Sequence, residues 1–321
     1  MNVGPGGGTV VGIRAAEESD VERLIKFSSD SGLRAIEPDQ LRCDFAEGRM
    51  RAPWSWLVED EGALVGRALW WGRADGALPL SLDVLDLGKH VDDRAGVAVE
   101  LLSAAHAEFA EQGAKKPGEY TLRLPCGWRE DAAASAAVRW RRDACRRSGL
   151  TEELERLQYA WTPDDGVPAA STRVRFRPGD DDEFLDLFAQ VGRGSLDVET
   201  QRSVEEMGEQ GQAREDLDFY LGCPGERDWW RVALDGDGSP VGFAIPSATP
   251  YHRNVGYLGV LPAWRGHGFV DDLLGEVTRV HAGSGAVTIT ATTDTTNAPM
   301  AAAFDRAGYQ ITEVRLVWSA P

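Results

Sequence analysis

Residues 261–270, Leu-Pro-Ala-Trp-Arg-Gly-His-Gly-Phe-Val, combine one arginine, one histidine and two glycines at a spacing that can grip an anion. Residues 255–260 before them read as a strand, and Pro262 stops it because proline donates nothing to a ladder. Gly266 and Gly268 allow a tight turn through positive φ. Leu273, Leu274, Val277 and Val280 then recur at helical spacing. Strand, glycine turn and helix start in that order leave backbone N–H groups unpaired, and the helix dipole favours negative charge there. Arg265 adds a planar fork suited to phosphate oxygens. Two readings compete for this stretch: a phosphate or pyrophosphate site, and an ordinary helix start whose glycines serve packing.

The elements that must position this turn come next. Residues 10–14, a helix opening near Ser19 and Asp20, a hairpin turning at residues 60–62, a strand in 78–87, an amphipathic helix over 95–113, a strand at 120–124 and an arginine-faced helix over 132–148 form a first set. Residues 162–171, Thr-Pro-Asp-Asp-Gly-Val-Pro-Ala-Ala-Ser, read as a linker. The same order then restarts: a strand at 174–177, a helix from Asp180, an acidic helical segment over 195–221, a hairpin turning at 235–238, and the strand before the anion turn. Ile13-Arg14 parallels Phe176-Arg177, Leu64-Val65-Gly66 parallels Pro240-Val241-Gly242, and Arg147-Ser-Gly149-Leu150 parallels Arg306-Ala-Gly308-Tyr309. The chain reads as a degenerate internal repeat. The expected division is a flexible leader over 1–9, a first domain over 10–161, the linker, and a second domain over 172–321. Laying Leu101-Leu102 on Leu273-Leu274 puts Asp93 where Arg265 sits and Val138 where Asn297 sits, so the first copy reads as catalytically degenerate.

Residues 262–270 resemble the coenzyme A loop of the GNAT acyltransferases, Gln/Arg-x-x-Gly-x-Gly/Ala. Arg265 and Gly268 match, and Val270 departs from the pattern. Residues 297–309, from Asn297 through Phe304 to Gly308-Tyr309, resemble that family's last helix. The resemblance implies an α/β (α+β) fold of two tandem GNAT-like domains, each a mixed, mostly antiparallel sheet flanked by helices. It implies that acetyl-CoA is bound by Leu258, Gly259, Val260, Arg265, Gly266, His267, Gly268, Phe269, Val270 and Asn297. It further implies a bulge splaying the strand before the loop away from its neighbour, which Gly256 or Gly259 would ease.

The expected function is transfer of an acetyl group from coenzyme A to a primary amine of a small molecule, with the chemistry in the C-terminal domain. A mycothiol synthase-like acetyltransferase and a non-catalytic acyl-CoA-binding sensor or partner protein are the alternatives. His252 is the first candidate for the base, because its ordinary pKa lies near neutrality; an exposed loop histidine is the competing reading. Glu199, Glu205 and Glu206 are further candidates for the base, with a solvated charged face as the competing reading. The resemblance implies that these acidic helices cover the acceptor, where they could also select a cationic amine. Phe304 stands where many relatives carry a tyrosine that protonates the leaving thiolate, which leaves Tyr257, Tyr309 or a water for that role. Asn297, ahead of Pro299, reads equally as a helix cap.

Net charge bounds the partners. The chain of 321 residues carries −18, with eight excess acids before Val167 and ten from it onward. An acidic surface on both halves repels nucleic acid and anionic membranes, leaving a small molecule or a protein as partner. Four scattered cysteines and five scattered histidines suggest reduced thiols and no metal-ligand cluster. With no signal peptide or membrane-length apolar run, the expected location is cytoplasmic, as a monomer or homodimer.

Overall fold

The computed structural model describes residues 12–27 and 33–321; the leader expected over 1–9 lies outside the described residues. The elements in chain order are β1 (Gly12–Ala15), α1 (Val21–Lys26), α2 (Pro38–Ala46), β2 (Ser55–Asp60), β3 (Ala63–Trp71), β4 (Ser81–Leu87), α3 (Arg94–Glu111), β5 (Glu119–Leu124), α4 (Ala132–Arg147) and β6 (Glu152–Trp161). They continue with β7 (Arg175–Arg177), α5 (Asp181–Gly192), α6 (Val198–Leu221), β8 (Arg231–Leu234), β9 (Pro240–Ala248), β10 (Arg253–Val260), α7 (Phe269–Gly283), β11 (Ile289–Asp294), α8 (Ala298–Arg306) and β12 (Gln310–Ser319). No helix among the described residues is long and apolar enough to cross a membrane.

Compactness divides the chain into two units. The first takes the described part of Met1–Glu155 together with Glu313–Pro321, and the second takes Arg156–Thr312. This differs from a division at residues 162–171. Chain order placed residues 156–161 with the first half and 313–321 with the second, but strand pairing assigns them the other way. Residues 156–161 of β6 pair with β11, from Arg156↔Asp294 to Trp161↔Ile289. Val314–Trp318 of β12 pair with β5. Each sheet therefore takes its last strand from the opposite half of the chain, which no local pattern announces.

Each unit builds the same mixed sheet, antiparallel except for one pair. In the second unit β10 runs parallel to β11 for only two residues, Arg253↔Ile289 and Asn254↔Thr290. Against β9 the register slips between Val255 and Tyr257, so Gly256 is the extra residue of a bulge. A bulge bends its strand and raises the twist, and β10 leaves β11 at that point. In the first unit β4 and β5 pair only at Ser81↔Glu119 and Leu82↔Tyr120. There the register against β3 slips so that Asp83 is the extra residue. The structural repeat is clearer than the sequence repeat.

What fills the two gaps differs. In the first unit Arg141 on α4 is fully buried and so stands apart from the arginine-rich exposed side expected of this helix. Its Nε donates to the Leu85 carbonyl at 3.0 Å and its Nη2 to Asp86 at 3.1 Å. The free edge of β4 is thereby satisfied from within the protein. By the overlay of Arg147 on Arg306, Met300 stands in the second unit where Arg141 stands in the first. Burying a charge is tolerated only when it is paired and hydrogen-bonded. Replacement of Arg141 by alanine strips Asp86 of one partner and leaves the Leu85 carbonyl without its donor. Arg141→Ala is expected to lower stability by about 3–5 kcal/mol in denaturant titration. Arg142→Ala, which breaks only the partly exposed pair with Glu153, should cost less than about 1 kcal/mol.

Candidate active site

The second unit keeps the glycine turn that its sequence suggests. Gly266 and Gly268 have φ of 80° and 75°, and Gly268 is the N-cap of α7 with no side chain capping the helix. The first amides of α7 thus face outward at the positive end of the helix dipole. In the first unit the equivalent helix starts earlier. Asp93 caps α3, and its carboxylate accepts the Gly96 N–H at 2.8 Å. A built-in carboxylate holds the place that an anion would take.

Arg265 is committed to the protein backbone. Its Nη1 donates to the carbonyls of Arg193 and Gly194 at 2.6 and 2.8 Å, Nη2 to Val191 at 2.6 Å, and Nε to Val260 at 3.2 Å. These carbonyls include the end of α5, whose negative dipole end a cation suits. The side chain therefore locks the turn to α5. Arg173 braces the turn from another side, a contribution the sequence reading missed. It donates to the carbonyls of His267 and Gly268 at 3.0 and 3.2 Å, pairs with Asp272, and lies 4.9 Å over the Phe269 ring. His267 is exposed and its Nδ1 lies 3.1 Å from the Arg265 carbonyl. Val270 packs on the cluster around Leu274 and Phe304.

The edge of β10 is open where it leaves β11. Leu261 N–H donates to Val241 O at 3.0 Å, so by the two-residue period Gly259 faces β9 while Leu258 and Val260 face the gap. The Val260 carbonyl is taken by Arg265, and the Gly256 carbonyl accepts the Tyr220 hydroxyl at 2.8 Å. Leu258 lies between them, where the first unit has Leu85 and its arginine. Gly259 has a separate reason: a Cβ there would lie 2.5 Å from the Phe243 ring. A Cβ on Gly256 would lie 2.7 Å from Ser247 Cβ and 3.0 Å from the Tyr220 ring.

Over this gap lies α6, kinked at Gly208, where φ is 77°. Its start is tied to the end of β11, because Asp294, which is 1% exposed, accepts the Val198 N–H at 2.9 Å. Arg156 bonds both Asp294 and Glu199 at 2.9 Å. The second half of α6 brings Tyr220 to the bulge, with Asp216 and Gln212 one and two turns earlier on the same helix face. Gln212 donates to Asp216. Burial first, and then the neighbouring Glu215 and Asp197, push the Asp216 carboxyl up to about 7. Burial and Asp216 push the Tyr257 hydroxyl above its ordinary value. Asp216, Gln212 and Tyr220 were not singled out from sequence, although their spacing of four residues was legible as one helix face.

The remaining expectations fall variously. His252 lies in an exposed turn whose backbone is held by Thr249, four residues or about 13 Å of strand before the bulge. Glu205 and Glu206 face solvent. Asn297 caps α8, its side-chain oxygen accepting Met300 N–H at 3.3 Å. Phe304 is buried and stacked 4.7 Å from Tyr159, which comes from β6. The Tyr309 hydroxyl is committed to Thr278 at 2.9 Å inside the core. Of the tyrosines considered, Tyr257 remains beside the bulge.

Two stability predictions follow from the supports of this site. Gly268→Ala forces a side chain into left-handed backbone and should lower the melting temperature, at a cost of about 1–2 kcal/mol. His281 on α7 is fully buried, holds the Asn254 carbonyl through Nε2 at 3.0 Å, and is pushed down to about 4 by burial. A depressed histidine pKa means the unfolded chain binds the proton first. Stability should therefore fall as pH drops from about 6.5 toward 4, by up to about 3 kcal/mol from this group, and His281→Gln should flatten that slope in pH-dependent denaturation.

Comparison with known proteins adds the following. Residues 198–309 match the model of the Acetyltransferase (GNAT) family. No protein with curated annotation matches the sequence. A GCN5-related N-acetyltransferase from Sphaerobacter thermophilus shares 17% identity with a TM-score of 0.58, over 96% of this chain and 94% of that one. A GCN5-related glucosamine N-acetyltransferase region of a fungal multi-domain GH3 β-N-acetylglucosaminidase shares 15% identity with a TM-score of 0.59, over 97% of this chain and 38% of that one. At these identities the structural likeness bears on the fold.

Proposed function

We propose that this chain is a GNAT acyltransferase, a family whose model matches residues 198–309, and that its second unit transfers an acetyl group from acetyl-CoA to a primary amine of a small molecule. The observation that carries this reading is the open edge of β10 beside an uncapped helix start. The same edge in the first unit is filled by Arg141, and the same helix start by Asp93. A pyrophosphate suits the outward amides of residues 266–270, and an amide-bearing arm suits the free backbone of Leu258. Coenzyme A offers both groups, and its thioester supplies an activated acyl carbonyl.

The protein's own part is mostly placement. Arg265 and Arg173 hold the turn rigid from two sides, so its N–H groups are pre-aimed. Holding two reactants in attacking geometry contributes on the order of 7–11 kcal/mol. The splay parts β10 from β11 beyond Asn254, with the bulge at one end of the parted stretch and the glycine turn at the other. Backbone N–H groups along β10 can face a developing oxyanion. Asn297, while capping α8 through its oxygen, keeps its amide N–H groups for the coenzyme arm. The proposed division of labour is a working second unit and a first unit whose groove is closed by its own side chains.

Calorimetric titration with acetyl-CoA tests this. One equivalent should bind, and Arg265→Glu should weaken binding at least tenfold by releasing the turn from α5. Asp93→Asn in the first unit should leave the affinity unchanged. Two equivalents in the wild type, or binding lost only in the Asp93 variant, would move the site and refute the assignment.

A further inference from the structure

We propose that Asp216 is the proton acceptor for the incoming amine, and that the acceptor enters as a cationic ammonium; this rests on the acetyl-transfer reading above. Asp216 lies one helical turn before Tyr220, whose hydroxyl is fixed on the Gly256 carbonyl at 2.8 Å. The face of α6 carrying Asp216 is therefore pinned to the bulge where β10 opens. One turn earlier, Gln212 is 1% exposed and gives its amide N–H to Asp216. Its amide oxygen is buried without a partner among the described residues. Tyr257, the residue after the bulge, bonds Thr200 near the opposite end of α6.

The charges facing Asp216 are mostly negative. Glu215 lies on its own helix segment, and Asp197 and Glu199 come from the start of α6. Tyr220 and Tyr257 are neutral phenols held above their ordinary pKa, by burial first and then by Asp216. Arg265 acts on Tyr257 and Arg156 pairs with Glu199, and both are committed. Arg265 is spent on the carbonyls of Val191, Arg193 and Gly194, and Arg156 on Glu199 and Asp294. A half-buried carboxylate with no cation paired to it among the described residues is a costly arrangement in the free protein. A primary ammonium brings one positive charge and three N–H donors, and so relieves it.

The Asp216 carboxylate takes one proton from R–NH3+, leaving R–NH2. The nitrogen lone pair forms the C–N bond to the thioester carbonyl carbon, and the C–S bond breaks. The second proton shed by nitrogen ends on the thiolate sulfur, and Asp216 returns its proton to solvent. A carboxyl held near 7 is matched to this task, since a base works best near the operating pH.

Wild type, Asp216→Asn and Asp216→Glu should be compared with spermidine, ethylenediamine, tyramine and glucosamine as acceptors, reading thiol release from acetyl-CoA. With an amine that is turned over, Asp216→Asn should lower kcat/KM by about 10²–10⁴-fold and remove the limb that rises near pH 7. Asp216→Glu should keep the limb, and acetyl-CoA affinity should stay within about twofold in both variants. A second readout needs no turnover. A raised carboxyl pKa makes the folded protein lose stability as pH rises from about 4 to 7. Asp216→Asn should abolish that loss and be more stable than wild type at pH 8. An unchanged pH limb, or an unchanged stability slope, would overturn the role of Asp216. Intact acetyl-CoA binding with none of the four amines turned over would overturn the ammonium assignment. Failure of the wild type to bind acetyl-CoA would instead sink the acetyl-transfer reading itself.

Discussion

The second unit depends on one backbone irregularity, the extra residue Gly256 in β10. A regular β10 would stay paired with β11 along its length, and the sheet would close. With the bulge, parallel pairing ends after Asn254, and the polar edge of the strand is left to find other partners. Tyr220 takes the Gly256 carbonyl and Arg265 takes that of Val260. Those two bonds attach α6 and the glycine turn to the same strand, one at each end of the gap. Only glycine suits the bulge, because any Cβ there would meet Ser247, Ile245 and Tyr220 together.

The first unit shows how the same frame behaves without an opening. Its bulge residue is Asp83, and its parallel pair is equally short. The edge it exposes is covered by the buried guanidinium of Arg141, and its helix start by the carboxylate of Asp93. A buried polar group must be satisfied by something. In the first unit the protein supplies the partners; in the second, the proposed reading assigns the open positions to a ligand. The proposed difference in function between the units comes down to a few side chains on a shared backbone plan.

Electrostatics reinforce that division. The arginines nearest the second unit's site are committed to backbone carbonyls or to carboxylates other than Asp216, Arg156 to Glu199 and Asp294 among them, so they fix structure. The turn relies on backbone amides for positive potential. On the proposed reading, an acidic chain binds an anionic cofactor at the glycine turn and a cation near the bulge, without a large field of either sign.

The sequence by itself determined the glycine turn, the helix it opens, the repeat of element order and the likeness to one family. Each of these rests on local backbone chemistry or short spacing, such as the positive φ that glycine adopts freely at Gly266 and Gly268. It also left Asn297 open as a helix cap, and capping is what its side chain does, because that bond is made three residues away. Tertiary structure alone decided the partners separated by long stretches of chain. Arg265 reaches α5 across 71–74 residues, and β6 and β12 join sheets built from the other half of the chain. Arg141 looked like one more surface arginine on a basic helix, and Asp216 like one more acid on a solvated one. Their burial comes from strands and helices distant in sequence, so their local surroundings in the chain carry no sign of it.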